Sequence, residues 1–291
     1  MISIVLICRD DPSLDDTLRS VLGQAEAMPE PAETIVVDSS AGRLDFIRQR
    51  HAGRVRWIQF EPPAGAGITI PHQRNAGVQA ARGDIIVTTD AGCQPRSGWL
   101  ANLTAPLQAG EQVAAGAIVS GSAGDGLYEV PVSRMEAARY LHECPTGNLA
   151  FRRGVFDALG GFDETFTFGS DVDFSWRIND AGYRIASAPN AVIAHDFGSE
   201  RRQFRRSYVY GKARARLYRK HRARLRTVLR DDPMVLAYPL FILGLPLTLL
   251  FPLYPALLLI PAWRNRSRGA VRVVAHHLTY GAGILAEVIA G

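Results

Sequence analysis

Residues 74–93, RNAGVQAARGDIIVTTDAGC, decide the fold of this chain. The first half, residues 74–82, places small alanine side chains on one helical face, and Gly83 follows where a left-handed helix cap is expected. Residues 85–89 form a β-branched run, which is typical of a strand that is covered on both faces in a parallel sheet. The stretch therefore predicts a helix followed by a buried strand.

Asp90 comes at the end of that predicted strand. In open α/β sheets, ligands bind just beyond the carboxyl ends of the strands. Arg74 and Asn75, one helix upstream, add a cation and an amide to the same region. These residues predict a ligand-binding edge. The competing interpretation is an ordinary helix–strand unit whose Asp90 caps a turn.

The preceding chain repeats this alternation of strands and helices. Residues 2–7, 34–37 and 55–60 read as strands, and the second of these ends at Asp38. The alternation predicts an α/β fold with a doubly wound, Rossmann-like, mostly parallel sheet. The Ser- and Gly-rich residues 120–126 predict a mobile loop.

The order of these motifs resembles family-2 glycosyltransferases with the GT-A fold. Arg74, Asn75 and Gly77 match an R-N-x-G segment, and Asp90 matches the first aspartate of a D-x-D motif, with Gly92 in place of the second. The resemblance extends over roughly residues 1–215, and several motifs in the right order are more specific than one.

The resemblance implies roles for the residues on the donor side. Asp38 matches an aspartate that recognises the nucleotide base, although the same side chain also suits a turn cap. Arg74, Asn75 and Asp90 are expected to bind a nucleotide-sugar donor. Since the first strand leads into Cys-Arg-Asp-Asp rather than the more usual Pro-Thr-Tyr-Asn, the contacts of that loop are not carried over.

On the acceptor side, Asp171 matches the catalytic base, and Ser170 replaces its acidic partner. An acceptor hydroxyl becomes a good nucleophile when a positioned carboxylate takes its proton. Attack on the face opposite the leaving nucleotide then inverts the anomeric centre. The competing interpretation makes Asp171 a helix N-cap and Asp173 a first-turn charge, and a helix N-terminus would lower the basicity of Asp171.

The leaving diphosphate requires positive charge. His195 resembles a histidine that contributes to metal or phosphate binding in some relatives, although a lone histidine after a strand is as often structural. Asp90 and His195 are expected to hold one weakly bound divalent ion, Mg²⁺ or Mn²⁺. Arg206 matches the arginine of a Q-x-x-R-W motif, with Ser207 in place of the tryptophan, and is expected to bind the diphosphate.

Positive charge is concentrated in one segment. Residues 201–230 contain 13 Lys and Arg and no acidic residue, which leaves 20 bases against 28 acids elsewhere. Residues 233–263 then contain no charge, and five prolines interrupt them. Basic residues follow at positions 264, 266, 268 and 272. Basic flanks on both sides favour an in-plane or re-entrant hairpin over a simple membrane span. A buried helix pair of a soluble domain is the competing interpretation.

The basic segment is expected to bind anionic lipid headgroups and the phosphate of a lipid-linked acceptor, and not nucleic acid, because the rest of the chain is acidic. We therefore predict a catalytic domain over residues 1–198, a basic juxtamembrane helix over 199–232 and an apolar, membrane-associated helical segment over 233–291. Three cysteines without metal-ligand spacing favour a reduced environment, and the chain opens without a signal-peptide pattern. These features predict a location at the cell membrane, with the catalytic domain on the cytoplasmic side.

The resemblance implies an inverting glycosyltransferase that moves a sugar from a nucleotide-diphosphate sugar to a hydroxyl of a lipid-linked or glycan acceptor in the cell envelope. Three alternatives stay open at this point. They are a processive polysaccharide synthase, a nucleotidyltransferase and a degenerate, non-catalytic protein that binds sugar nucleotides.

Overall fold

A computed structural model describes residues 1–67, 69–121, 129–266 and 269–291. Most of the loop predicted at residues 120–126, and Arg268 in the second basic flank, lie outside these residues. The chain divides into two compact units, Met1–Asp196 and Phe197–Gly291.

The first unit contains helices and strands in alternation. The strands are β1 (Ile2–Cys8), β2 (Ala32–Asp38), β3 (Arg56–Gln59), β4 (Ile85–Asp90), β5 (Cys93–Pro95), β6 (Val113–Ser120), β7 (Tyr140–Leu141), β8 (Leu149–Arg152) and β9 (Ile185–His195). The helices are α1 (Leu14–Glu26), α2 (Asp45–Arg50), α3 (Ile70–Ala80), α4 (Trp99–Gln108), α5 (Val132–Glu136), α6 (Arg153–Leu159) and α7 (Ser170–Asp180).

The strands form one mixed sheet in the order β3-β2-β1-β4-β8-β6-β9-β5, with β7 paired to β9. The strands β3, β2, β1 and β4 are parallel, and β8 runs antiparallel to both of its neighbours. The first five residues of β4 are buried, as the β-branched run predicts. The prediction of a doubly wound, mostly parallel α/β sheet is confirmed.

Two glycines allow α3 and the segment after it to pack closely on the sheet. A Cβ atom on Gly77 would lie 2.3 Å from Cγ1 of Val5 in β1. A Cβ atom on Gly83 would lie 2.6 Å from the carbonyl oxygen of Met1. The prediction that Gly83 is a left-handed helix cap is wrong, because α3 ends at Ala80 and Gly83 has no positive φ. Close approach of the backbone is the reason for glycine there.

An aromatic cluster fixes the start of α7. Phe162, in the loop after α6, packs on Phe174 of α7 with ring centroids 4.3 Å apart. Phe151 and Phe156 complete the cluster, at 5.8 and 6.5 Å from Phe174. Such aromatic pairs contribute about 0.5–1.5 kcal/mol each beyond the area they bury. The cluster therefore holds the loop and α7 in one arrangement.

The second unit is helical in the part that the structure describes. Its helices are α8 (Glu200–Lys220), α9 (Val228–Asp231), α10 (Met234–Leu243), α11 (Leu259–Arg264) and α12 (Ala270–Ala290). Short 3-10 turns connect them at Arg222–Arg226, Leu245–Leu249 and Tyr254–Leu258. The charge-free residues 233–263 are thus split into short helices, as their prolines predict. Of the described helices, α12 is long and apolar enough to cross a membrane.

Candidate active site

Two aspartates meet at the carboxyl edge of the sheet because the strands that carry them flank the same strand. In the parallel register, Asp38 of β2 lies beside Cys8 of β1, and Asp90 of β4 lies beside Ile7 of β1. This is the edge at which open α/β sheets bind ligands. The structure therefore brings together the two carboxylates that the sequence places at strand ends.

The Asp38 side chain is fully buried. Its Oδ1 accepts a hydrogen bond from the backbone N–H of Ser40 at 2.8 Å. Its Oδ2 is also buried and has no hydrogen-bond partner among the described residues. An unsatisfied buried acceptor costs ~1–3 kcal/mol. An N–H donor from a nucleotide base would remove that cost, so the geometry suits the role predicted for Asp38.

Arg74 and Asp90 form an ion pair. Nη2 of Arg74 donates to Oδ1 of Asp90 at 2.8 Å. The Arg74 side chain is 2 % exposed and that of Asp90 is 35 % exposed. The Nε and Nη1 groups of Arg74 are buried and have no hydrogen-bond partner among the described residues. Two unsatisfied donors on a buried cation suit the predicted contact of Arg74 with the donor, which stays a prediction.

Asn75 connects α3 to the loop that precedes α7. Its Oδ1 accepts from the backbone N–H of Phe162 at 2.8 Å, and its Nδ2 donates to the carbonyl oxygen of the same residue at 2.8 Å. Nδ2 also donates to Oε1 of Glu164 at 2.9 Å. Asn75 therefore fixes the position of this loop relative to Arg74. Its contact with the donor stays a prediction.

Asp171 lies on the first turn of α7 and is half-buried. Its Oδ1 accepts from the backbone N–H of Val172 at 2.9 Å. Burial raises the pKa of the Asp171 carboxyl above its ordinary value, and this outweighs the opposite effects of the Val172 N–H and the Arg74 charge. A raised pKa makes a carboxylate a stronger proton acceptor. Burial therefore overcomes the weakening that the helix N-terminus was expected to cause.

Asp173 has a structural role. Its side chain is fully buried, and its Oδ2 accepts from Nε of Arg177 at 2.8 Å. Arg177 also donates to the carbonyl oxygens of Leu159 and Gly161, each at 2.8 Å. This ion pair holds the end of α6 against α7. Of the two aspartates on the first turn of α7, Asp171 is half-buried and Asp173 is fully buried, so Asp171 is the better candidate for contact with a substrate.

Glu143 is a second carboxylate whose charge acts on Asp171, and no sequence motif predicted it. It follows β7, and its Oε1 accepts from Nε1 of Trp176 at 2.9 Å. The negative charge of Glu143 contributes to the raised pKa of the Asp171 carboxyl. The carboxylate whose charge acts on Asp171 is thus Glu143, while Ser170 occupies the position where the resemblance places the acidic partner.

Replacing Glu143 with Gln is expected to move the acid limb of the pH–kcat profile to lower pH. The base must be ionised, so the rate falls as the pH falls through the pKa of Asp171, and removal of the Glu143 charge lowers that pKa. Gln keeps an acceptor for Trp176. The profile of Glu164→Gln, which changes a carboxylate bonded to Asn75, is the control and should stay in place. An unchanged limb in Glu143→Gln would contradict the assignment of Asp171 as the titrating base.

His195 ends β9 and lies close to Gly92. Its Nδ1 is 3.8 Å from Sγ of Cys93, its partner across the β5–β9 ladder. A Cβ atom on Gly92 would lie 3.8 Å from Cε1 of His195 and 3.5 Å from Oδ2 of Asp11. Gly92 has a φ of +82°, which an L side chain rarely adopts. The histidine and Asp11 therefore surround the position at which the second D-x-D side chain would begin.

The residues present do not complete a metal site by themselves. Across the described ranges of the chain, no three His, Cys, Asp or Glu side chains come together as ligands. Oδ1 of Asp90 already accepts from Arg74. A carboxylate and an imidazole are suitable ligands, but the remaining ones would have to come from a bound molecule.

Arg206 belongs to the second unit. It lies on α8, half-buried, and its Nη1 donates to the carbonyl oxygen of Phe197 at 3.5 Å. Its expected contact with the donor diphosphate stays a prediction.

Comparison with known proteins identifies two family models in this chain. The model for glycosyl transferase family 2 matches residues 3–162, and the model for glycosyl transferase family group 2 matches residues 132–280. The first includes Asp38, Arg74, Asn75 and Asp90, and the second includes Asp171, His195 and Arg206.

Individual proteins of known sequence or structure are also similar. The chain is 31 % identical over 188 residues to a pre-mycofactocin glycosyltransferase of Mycobacterium tuberculosis, covering 59 % of this chain and 39 % of that protein. It is 24 % identical over 169 residues to the glycosyltransferase AglE of Haloferax volcanii, covering 53 % of each. The chain thus spans about half or less of the length of these relatives.

A solved structure gives a fold comparison over nearly the whole chain. It is the mannosyltransferase PcManGT from Pyrobaculum calidifontis in complex with GDP-Man and Mn²⁺. The TM-score is 0.65 at 18 % identity, covering 99 % of this chain and 86 % of that chain. The likeness confirms the GT-A fold.

Proposed function

Because the chain belongs to glycosyl transferase family 2, we propose that it moves a sugar, with inversion, from a nucleotide-diphosphate sugar to a hydroxyl of a lipid-linked or glycan acceptor. One observation supports this function above the others. The buried Arg74 forms an ion pair with Asp90 at the donor edge, and its charge also acts on Asp171. This supports a single site that contains both the donor edge and the base.

In this mechanism each group has one task. Asp38 accepts an N–H of the base, and Arg74 neutralises the charge that develops on the departing diphosphate. Asp171 takes the proton of the acceptor hydroxyl as its oxygen attacks the anomeric carbon. The bond to the diphosphate oxygen breaks on the opposite face, so the anomeric centre inverts. The loop held by Asn75 keeps the base at a fixed position relative to the donor edge.

Turnover of a panel of nucleotide sugars tests this proposal. The expected result is release of a nucleoside diphosphate from one class of donor, measured by ion-exchange chromatography, with water or a supplied glycan as acceptor. A nucleotidyltransferase would instead need added pyrophosphate and would release a nucleoside triphosphate and a sugar phosphate from the nucleotide sugar. A degenerate protein would bind a nucleotide sugar but would release nucleoside diphosphate no faster than the Asp171→Asn variant does.

The relative that was solved with Mn²⁺ supports a divalent ion as part of the donor complex. When bound, such an ion supplies positive charge to the diphosphate. We propose that Asp90 and His195 contribute the protein ligands and that the diphosphate supplies the others. The ion then enters and leaves with the donor.

Mn²⁺ is therefore expected to bind weakly to the protein alone and at least tenfold more tightly in the presence of a nucleoside diphosphate. The spectrum of free Mn²⁺ in electron paramagnetic resonance measures this directly and does not depend on activity. A control titration of Mn²⁺ with the nucleoside diphosphate, without protein, gives the affinity of the diphosphate for the ion, and this contribution is subtracted. Equal Mn²⁺ binding by the wild type and by Asp90→Asn in the presence of diphosphate would contradict the ligand assignment.

We also propose that the protein acts at the cytoplasmic face of the cell membrane. Two segments support this location. Anionic lipid headgroups attract the basic residues 201–230, and the hydrocarbon of the bilayer attracts the apolar residues 233–263. A lipid-linked acceptor would then be available at the surface to which the protein is bound.

A further inference from the structure

The apolar residues of the second unit form a closed hairpin. The ring of Tyr254 stacks on that of Phe241 in α10 at a centroid distance of 5.1 Å, and its hydroxyl donates to the carbonyl oxygen of Phe241 at 3.0 Å. A Cβ atom on Gly244 would lie 2.1 Å from that hydroxyl. These contacts bring the two arms together and leave residues 245–253 as the tip.

The tip exposes large apolar side chains. Leu249 is 87 % exposed, Leu250 75 %, Phe251 63 % and Leu253 82 %. The arms add Leu240, Leu243, Leu257, Leu259, Ile260 and Trp263, all of them exposed. A contiguous apolar surface of this kind marks an interaction site.

We propose that this hairpin, residues 240–263, inserts into one leaflet of an anionic bilayer and that no helix of the second unit crosses the membrane. Each arm, from residue 240 to the tip and from the tip to residue 263, runs over about ten residues, or ~15 Å at ~1.5 Å per residue, which is half of the ~30 Å hydrocarbon core. The hairpin is therefore deep enough for one leaflet and too short for two. The proposal builds on the proposed membrane location, and it rests on the second unit alone.

The charges beside the hairpin identify lipid as its partner. Arg266 lies over the ring of Trp263 at 4.8 Å, at the end of the second arm. Tryptophan and arginine are typical of the membrane–water interface. Arg201, Arg202 and Arg205 of α8, in the same unit, are exposed as well. In a bilayer, lipid phosphates neutralise these cations and hydrocarbon covers the leucines. An apolar protein partner would cover the leucines but would leave the cations without counter-charges.

Helix α12 is bound to α8 and cannot enter hydrocarbon alone. A Cβ atom on Gly211 of α8 would lie 2.0 Å from the carbonyl oxygen of Tyr280, and one on Gly283 would lie 2.0 Å from that of Tyr208. The two backbones are thus in contact. Since α8 contains nine Lys and Arg, the pair is too polar to cross a bilayer.

Ion pairs strengthen the contact between α8 and α12. Glu287 of α12 has a side chain only 7 % exposed, and it accepts from Nε of Arg216 at 2.7 Å. Arg219 donates to the carbonyl oxygen of Glu287 at 3.1 Å, and Arg214 pairs with Asp232 at 3.3 Å. These arginines hold the helices of the second unit together, and the lipid contact expected for the basic segment stays a prediction.

Single cysteines with an environment-sensitive label test the insertion. The native Cys8, Cys93 and Cys144 are buried, and burial raises the pKa of each thiol to about 12, so they react slowly with the label. The protein is added to sealed vesicles of phosphatidylcholine and phosphatidylglycerol. A bimane label on Leu250→Cys is expected to be quenched by lipids that carry a nitroxide on the acyl chain. A label on Val271→Cys, 84 % exposed on α12, is expected to stay unquenched.

The same vesicles test whether α12 crosses. Val271→Cys and Ile289→Cys, near opposite ends of α12, are both expected to react with a membrane-impermeant maleimide added outside. Reaction of only one end, or an unquenched label on Leu250→Cys, would overturn the proposal. Donor turnover by the labelled proteins is measured in parallel. If donor turnover is retained but the tip does not insert, this inference alone is overturned. If the tip inserts but the protein turns over no donor, the proposed function alone is overturned.

A triple variant gives an independent measure. Changing Leu249, Leu250 and Leu253 to Ser is expected to reduce co-sedimentation with the anionic vesicles at least tenfold and to leave donor turnover in solution unchanged. Val288→Ser with Ile289→Ser, which changes exposed apolar side chains of α12, is the matched control and should bind as the wild type does. Equal binding by the triple variant and the control would contradict insertion of the tip.

Discussion

Replacing Asp171 with Asn is expected to reduce sugar transfer by on the order of 10²-fold or more, with little change in donor binding. Asn has the size of Asp and keeps an acceptor for the Val172 N–H, but it cannot take a proton. Transfer is measured as nucleoside diphosphate released under saturating donor, and binding by calorimetry. Near-normal transfer by Asp171→Asn would rule out the role of the base.

The same substitution is expected to stabilise the fold at neutral pH. Because the pKa of Asp171 is raised in the folded protein, this carboxyl favours folding most at pH values below its ordinary pKa, and that contribution is lost as the pH rises through the raised value. Asn stays neutral at all pH values. The denaturant midpoint of Asp171→Asn should therefore exceed that of the wild type at high pH and approach it at low pH. If the denaturant midpoints of Asp171→Asn and the wild type depended on pH in the same way, burial would not raise the pKa of Asp171.

Replacing Arg74 with Met is expected to reduce transfer by roughly 10²–10³-fold, the usual cost of losing one group that stabilises developing charge. Met fills much of the buried volume without a charge. The partner Asp90 is 35 % exposed, so water can solvate its carboxylate and the protein should still fold. Arg74→Lys keeps the charge but loses the planar donors, and its activity should fall between those of Met and Arg.

The Arg74 substitution has a second readout. The Arg74 charge lowers the pKa of Asp171, so Arg74→Met should move the acid limb of the pH–kcat profile to higher pH, the direction opposite to Glu143→Gln. A purely structural arginine would reduce activity without moving the limb. Loss of activity with an unchanged profile would therefore contradict the link between the donor edge and the base.

The sequence predicted the donor edge because its signal is local. The β-branched residues 85–89 identify a buried strand, and parallel strands bring their carboxyl ends to one edge. Asp38 and Asp90 were therefore expected at the same edge, and they lie there on the two strands that flank β1. The loss of the second D-x-D carboxylate was also visible as Gly92. The sequence did not predict that Asp11 and His195 lie beside it, because that depends on how β5 pairs with β9.

The acceptor side was less predictable because its contacts join distant residues. Asn75 bonds to Phe162, 87 residues later, and this contact requires the antiparallel insertion of β8 between β4 and β6. Glu143 influences Asp171 across a similar tertiary contact. The ion pair between Arg216 and Glu287 was also not visible in the sequence, because the two residues are 71 positions apart and leave no local pattern.

The anomeric configuration of the first sugar released from the preferred donor tests the central claim most directly. With water as acceptor, proton NMR follows the anomeric signal before mutarotation, so the measurement requires no knowledge of the natural acceptor. Activation of the incoming hydroxyl by Asp171 predicts release of the inverted anomer. Initial release of the retained anomer would contradict a single displacement and the assignment of Asp171 as its base.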